Sequence, residues 1–247
     1  MDKRIAVLLA NGFEEGEALF VVDILRRAGF ACDIVSVEAE TVQGAHDIRV
    51  NADRLLNDID TMDYDMLVLP GGLPGANTLR DNDKVIAWVK SFSVDERKYI
   101  GAICAAPQVL AKAGVVKGRK LTSYPGDKYR NMFADAVYID DNAQTEECVV
   151  VDGHLITSRG PGTTLPFAYK LVEVLGGDAD RLRASMNYAS DRALMDDYLH
   201  EAEGNELLGL IFIRCQIEVK LFRMLPQHFR NESNITLNFY FKFLPEG

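Results

Sequence analysis

The sequence predicts an α/β protein, a mainly parallel β-sheet sandwiched between helices, and three observations predict it. Short, nearly continuous apolar runs recur along the chain, as strands buried on both faces require. Helix-patterned segments separate them, as crossovers between parallel strands require. Glycine-rich or cysteine-bearing turns follow several of the runs, at the strand ends where open α/β sheets bind ligands.

The first apolar run is residues 5–10. Ala18, Val21, Val22 and Leu25 follow at helical spacing, and Gly29 closes that segment as a C-terminal cap. Residues 32–37 are the next strand and complete a β–α–β unit. Residues 66–69 and 99–103 are two further strands, with helical patterns at 84–92 and 107–113 behind them. A second group of elements starts at Leu121. Residues 148–151 and 155–157 flank Asp152-Gly153, a two-residue hairpin turn. Residues 165–175 are helical and end before Gly176-Gly177, and the stretch from 178 to about 203 is again helical in composition, closing the αβα sandwich.

With 247 residues, 48% of them hydrophobic, the chain is long enough for one sizeable core. Residues 1–204 are expected to form that domain. Residues 205–247, rich in Phe, Ile, Leu and Asn and interrupted by Pro226 and Pro245, form a C-terminal extension of different character. A net charge of −10 argues against a surface that neutralises nucleic-acid phosphates or lies on an anionic membrane. No run of about 18 apolar residues is present, and the first residues reach acid too early for a signal peptide, so a cytoplasmic protein is expected. Cys32, Cys104, Cys148 and Cys215 have neither C-x-x-C nor Cys/His spacing, which points away from zinc and from a disulfide framework toward single-thiol chemistry.

The most informative stretch is KYIGAICAAP, residues 98–107, where an apolar strand reaches Cys104 and helix formers follow at once. Such an elbow lifts a nucleophile above the strand ends, and a helix N-terminus there favours thiolate. Taken alone, Cys104 is either that nucleophile or a small core residue. Leu69-Pro70-Gly71-Gly72 ends another strand and lets backbone N–H groups approach an oxyanion, if it is more than an ordinary turn. Thr157-Ser158-Arg159-Gly160-Pro161-Gly162-Thr163 offers Arg159 to an anion or an interface carboxylate and Thr163 as a helix cap; it is equally a rigid connector.

NGFEEGEA, LVLPGG, GAICAAP and TSRGPGT, in this order and spacing, resemble the ThiJ/PfpI superfamily in its DJ-one branch over roughly residues 3–198. The resemblance implies a flavodoxin-like sandwich of the class I glutamine amidotransferase kind, a homodimer, and a glutamate close to the cysteine sulfur. By motif alignment that glutamate is Glu17, whose other reading is a first-turn residue matched to the helix dipole. Gly72 and Ala105 match the positions whose N–H groups form the family's anion notch. Ala105 stands where the protease-like branch has histidine, which argues against peptide hydrolysis. Tyr124 stands where the nearest branch has a histidine before proline, and keeps only a hydroxyl for substrate. His46 is the available substitute base or a plain turn histidine; Cys32 and Cys148 read as core.

The activity so implied is a cofactor-free, metal-free glyoxalase or deglycase that acts through Cys104 on small dicarbonyls such as methylglyoxal or on glycated protein. The alternatives are a peroxide sensor or chaperone working through Cys104 sulfinate, and a scaffold working through the tail.

Overall fold

Burial on both faces turns the apolar runs into strands in the computed structural model, which describes residues 3–140 and 148–188. β1 (Arg4–Leu9) leads into α1 (Glu15–Arg27), and β2 (Ala31–Ser36) returns parallel to β1 with Arg4 opposite Ala31 and Leu9 opposite Ser36. β3 (Thr41–Gln43) and β4 (Arg49–Asn51) pair with each other outside the main sheet, and β5 (Arg54–Leu55) rejoins it beside β2. β6 (Met66–Leu69) is followed by α2 (Gly75–Asp81) and α3 (Asp83–Val94), and β7 (Tyr99–Ile103) by α4 (Pro107–Ala113). β8 (Lys120–Leu121), α5 (Asp127–Arg130) and β9 (Val137–Tyr138) come next. The hairpin β10 (Val149–Asp152) and β11 (Leu155–Ser158), then α6 (Thr164–Val174) and α7 (Ala179–Ser185), complete the described chain.

The main sheet has seven strands in the order β10-β11-β7-β6-β1-β2-β5. Every pairing is parallel except β10 with β11, so the expected α/β sandwich is present. β1 and β6 are fully buried apart from Arg4, as strands covered by helices on both faces must be. Phe167 and Leu171 of α6 are 0% exposed and press on Gly101 of β7, where an added Cβ would come within 3.1 Å of both side chains. That contact fixes β7, and with it the cysteine at its end.

Most expected elements agree to within a few residues, and two details differ. The hairpin turn is one residue later than its sequence signal: Asp152 pairs with Leu155, so Gly153 and His154 make the turn, with Gly153 at φ 59°. Cys148 precedes β10 and is partly exposed, whereas Cys32 is buried as expected. Residues 1–187 form one unit. The expected extension 205–247 with its boundary at 204, the rest of the 178–203 helix, Cys215, His200 and His228 lie outside the described residues. Among the described residues no helix is long and apolar enough to cross a membrane.

Candidate active site around Cys104

Four neighbouring strands, β1, β6, β7 and β11, end at one edge of the sheet, and the chemistry-bearing turns follow them. Glu17 lies in the first turn of α1 after β1, Gly71 and Gly72 follow β6, Cys104 follows β7, and Arg159 follows β11. Parallel pairing makes this inevitable, because it places all four carboxyl ends on one side.

Cys104 has φ 62°, a left-handed conformation that costs a non-glycine residue about 1–2 kcal/mol. Neighbouring backbone holds it there: its N–H donates to Ser158 O at 3.0 Å, and its carbonyl accepts the Tyr124 N–H at 2.8 Å. Cys104 is 8% exposed. The backbone N–H groups of Ala105 and Gly72 act on the sulfur in the sense that favours its charged form. Gly72 has φ +85°, and a Cβ on it would collide with the backbone of Gly12 and Glu14.

Glu17 is 0% exposed. Its Oε2 accepts the Gly71 N–H at 2.7 Å, and Oε1 is buried with no hydrogen-bond partner among the described residues. Burial pushes its carboxyl up to about 7, against the pull of the Gly71 N–H and the Cys104 side chain. Burial also pushes the Cys104 thiol up, and a charged Glu17 pushes it further, while the Ala105 and Gly72 N–H groups pull it back. Both groups resist carrying charge at once, so a proton on Glu17 favours the thiolate. Gly71 makes the approach possible: a Cβ there would sit 2.7 Å from both Cys104 Cβ and Glu17 Oε2. Its motif was visible in sequence, but this contact was not.

His46 is placed differently. It is exposed, its backbone N–H donates to Glu15 Oε1 at 2.6 Å, and its Nδ1 lies 2.8 Å from Glu15 Oε2. Its pKa is raised, first by the Glu15 hydrogen bond and then by the charges of Glu14 and Glu15. Its bonds here lead to Glu15 and not to Cys104 or Glu17. Glu15 in turn is drawn below the usual carboxylate range: burial opposes this, and the two His46 bonds outweigh it. Glu14, Glu15 and His46 present ligand atoms within 4.8 Å of one another, the set among the described residues with metal-ligand composition.

Tyr124 is 47% exposed and, with Pro125, Arg159, Gly160 and Pro161, lines an open cavity of about 340 Å³. Thr163 does not cap α6 with its side chain; its hydroxyl instead donates to Gly160 O at 2.9 Å and accepts the Gly160 N–H at 3.1 Å, closing the loop that carries Arg159. Tyr129, overlooked in the sequence, is 8% exposed and packs edge-on against Tyr124 with ring centroids 5.9 Å apart. It has no motif to announce it, since α5 is a four-residue helix.

Residues 3–174 match the DJ-1/PfpI family model, and the chain belongs to that family. It is 41% identical over 178 residues to protein dj-1beta of Drosophila melanogaster, a match covering 72% of this chain and 91% of that protein. The crystal structure of Drosophila DJ-1beta superposes with a TM-score of 0.70 at 38% identity, covering 77% of this chain and 100% of that one. Protein DJ-1 homolog A of Arabidopsis thaliana is 36% identical over 71% of this chain, which spans only 43% of that longer protein. Deglycase PH1704 of Pyrococcus horikoshii is 35% identical over 70% of this chain and 99% of its own length.

Proposed function

We infer that the protein is a cysteine-dependent, cofactor-free enzyme of glyoxalase or deglycase type, acting on reactive dicarbonyls such as methylglyoxal or on their protein adducts. The observation that carries this reading is the fully buried Glu17 beside Cys104, its carboxyl raised to about 7 and bonded to Gly71. A carboxyl so placed is both proton donor and acceptor near neutrality. The relation to an archaeal deglycase supports the same class.

In this reading Cys104 sulfur adds to the aldehyde carbon of a 2-oxoaldehyde, and the new alkoxide takes its proton from Glu17 while the Gly72 and Ala105 N–H groups support the developing charge. Glu17 carboxylate then takes the proton from that carbon and returns it to the neighbouring one, leaving a thioester of a 2-hydroxy acid. Water cleaves the thioester, releasing the acid and the thiol. No oxidant or reductant is needed, because one carbon is oxidised as its neighbour is reduced. Tyr124 and Arg159 would border the substrate's distal end, and His46 holds Glu15 rather than moving protons. By analogy with its relatives the enzyme would work as a homodimer.

The test is hydroxy-acid formation from methylglyoxal by wild type, Cys104→Ser and Glu17→Gln. Turnover should vanish in the first and fall by roughly 10²–10⁴-fold in the second. Wild-type rates in Cys104→Ser would end the proposal.

A second reading rests on the two N–H groups at the sulfur, which suit a cysteine sulfinate as well as an alkoxide. In that case peroxide converts Cys104 selectively, ahead of Cys32 and Cys148, and no dicarbonyl turnover is found.

A further inference from the structure

The cysteine occupies one edge of the sheet, and the opposite edge carries a larger hollow of about 520 Å³ with no assigned role. Ligand cavities commonly fall within about 300–1,000 Å³. Its floor is apolar: Ile100 near the start of β7 and Leu155 at the start of β11 are 1% and 3% exposed, and Val115 lies beside them. Its rim is cationic, with Lys90 from α3, Lys117 and Arg119 from the segment after α4, and His154 from the β10–β11 turn. Among the described residues no acidic side chain lines it, and Asp152 meets it only through Arg119, in a chain whose net charge is −10. The local sign is thus the reverse of the whole.

Arg119 is held from behind, its Nη2 donating to Asp152 O at 2.9 Å and its Nε 3.4 Å from the Asp152 carboxylate. That carboxylate is engaged again by the Lys120 N–H at 2.7 Å, so it is not free to fill the hollow. Lys90 and Lys117 are exposed and have no carboxylate partner among the described residues. α3 and α4 both end here, and their last carbonyls account for part of this positive charge, at about half a charge per helix. Lys90 and Lys117 exceed that demand, while Arg119, paired with Asp152, adds donors rather than net charge.

The geometry points to a binding site for a phosphomonoester with an apolar body, its dianion between Lys90, Lys117 and Arg119 and its body against Ile100, Val115 and Leu155. A phosphomonoester fits because it carries about two negative charges at neutrality and three acceptor oxygens for three donors. The site is independent of Cys104, since it lies at the far ends of the strands.

Phenyl phosphate titrated into the full-length protein, followed through the amide resonances of Gly114, Val115, Lys117 and Leu155, reads the site directly. Saturable shifts are expected, with inorganic phosphate binding more weakly for want of the apolar floor. The double substitution Lys90→Ala, Lys117→Ala should weaken phenyl phosphate by about tenfold or more while the protein stays folded, with only the small fall in melting temperature that losing two exposed charges at helix ends brings. Three outcomes would overturn the assignment: no saturation up to about 10 mM, a dissociation constant worth only about 3 kcal/mol; equal affinity for inorganic phosphate; or unchanged affinity in the double variant. Failure to saturate would leave these cations serving the helix ends alone.

Discussion

Glu17 loses its solvent entirely, and a carboxyl in that position favours its neutral form. Its folded value near 7 stands above the ordinary 4.5, so the folded state binds the extra proton between those values. The stability contribution is therefore fully present below about pH 4.5 and is lost as pH rises through about 7. Each pKa unit corresponds to about 1.4 kcal/mol, so wild type should lose about 2.5 kcal/mol between pH 5 and 8 relative to Glu17→Gln, which carries no titrating group there. Urea unfolding of the two proteins across that range measures it; parallel pH profiles would show that Glu17 is not strained by its burial. The same proton links stability to chemistry, since the form that folds best is the one that leaves the charge to sulfur.

Between β6 and α2 the backbone, more than any side chain, assembles the site. Gly71 donates to Glu17 and leaves room for Cys104, so Gly71→Ala should cost about 1–3 kcal/mol of stability and roughly a hundredfold in turnover, because one methyl pushes both reacting groups out of register. Near-wild-type turnover with normal alkylation of Cys104 would show that the turn yields easily. A cap far from the site gives the contrasting case. Asn82 Oδ1 accepts the N–H groups of Lys84 and Val85 at the start of α3, so Asn82→Ala should lower stability by about 1 kcal/mol while leaving turnover intact. Thermal unfolding and a dicarbonyl assay on both variants separate a site defect from an element defect. Where sequence patterns missed elements, the elements were too short to show a period: β3 and β4 have three residues each, and β5, β8 and β9 two. These are fixed by what they dock on, as when Ala45 N–H donates to Phe13 O at 2.8 Å and seats the β3–β4 hairpin on the turn before α1.

Over the whole molecule, the family domain and the chain are not the same length. Drosophila DJ-1beta is matched over its entire chain by 77% of this one, so a protein ending at Gly204 should keep the fold and the turnover of the full chain. Equal rates and melting temperatures in the two forms would support that, and loss of activity would make residues 205–247 part of the working protein. By itself the sequence determined the α/β class, the strand-to-helix elbow at Cys104 and the neighbouring glycine turns, because apolar period and turn chemistry are local properties. It also named Glu17, through a motif rather than through any spacing to Cys104. Only the tertiary structure decided that Gly71 holds Glu17, that His46 belongs to Glu15, that Tyr129 stands behind Tyr124, and that four cationic or titratable groups ring a hollow at the far edge. Those depend on which strands are neighbours, and parallel pairing brings together residues tens of positions apart that no local pattern connects.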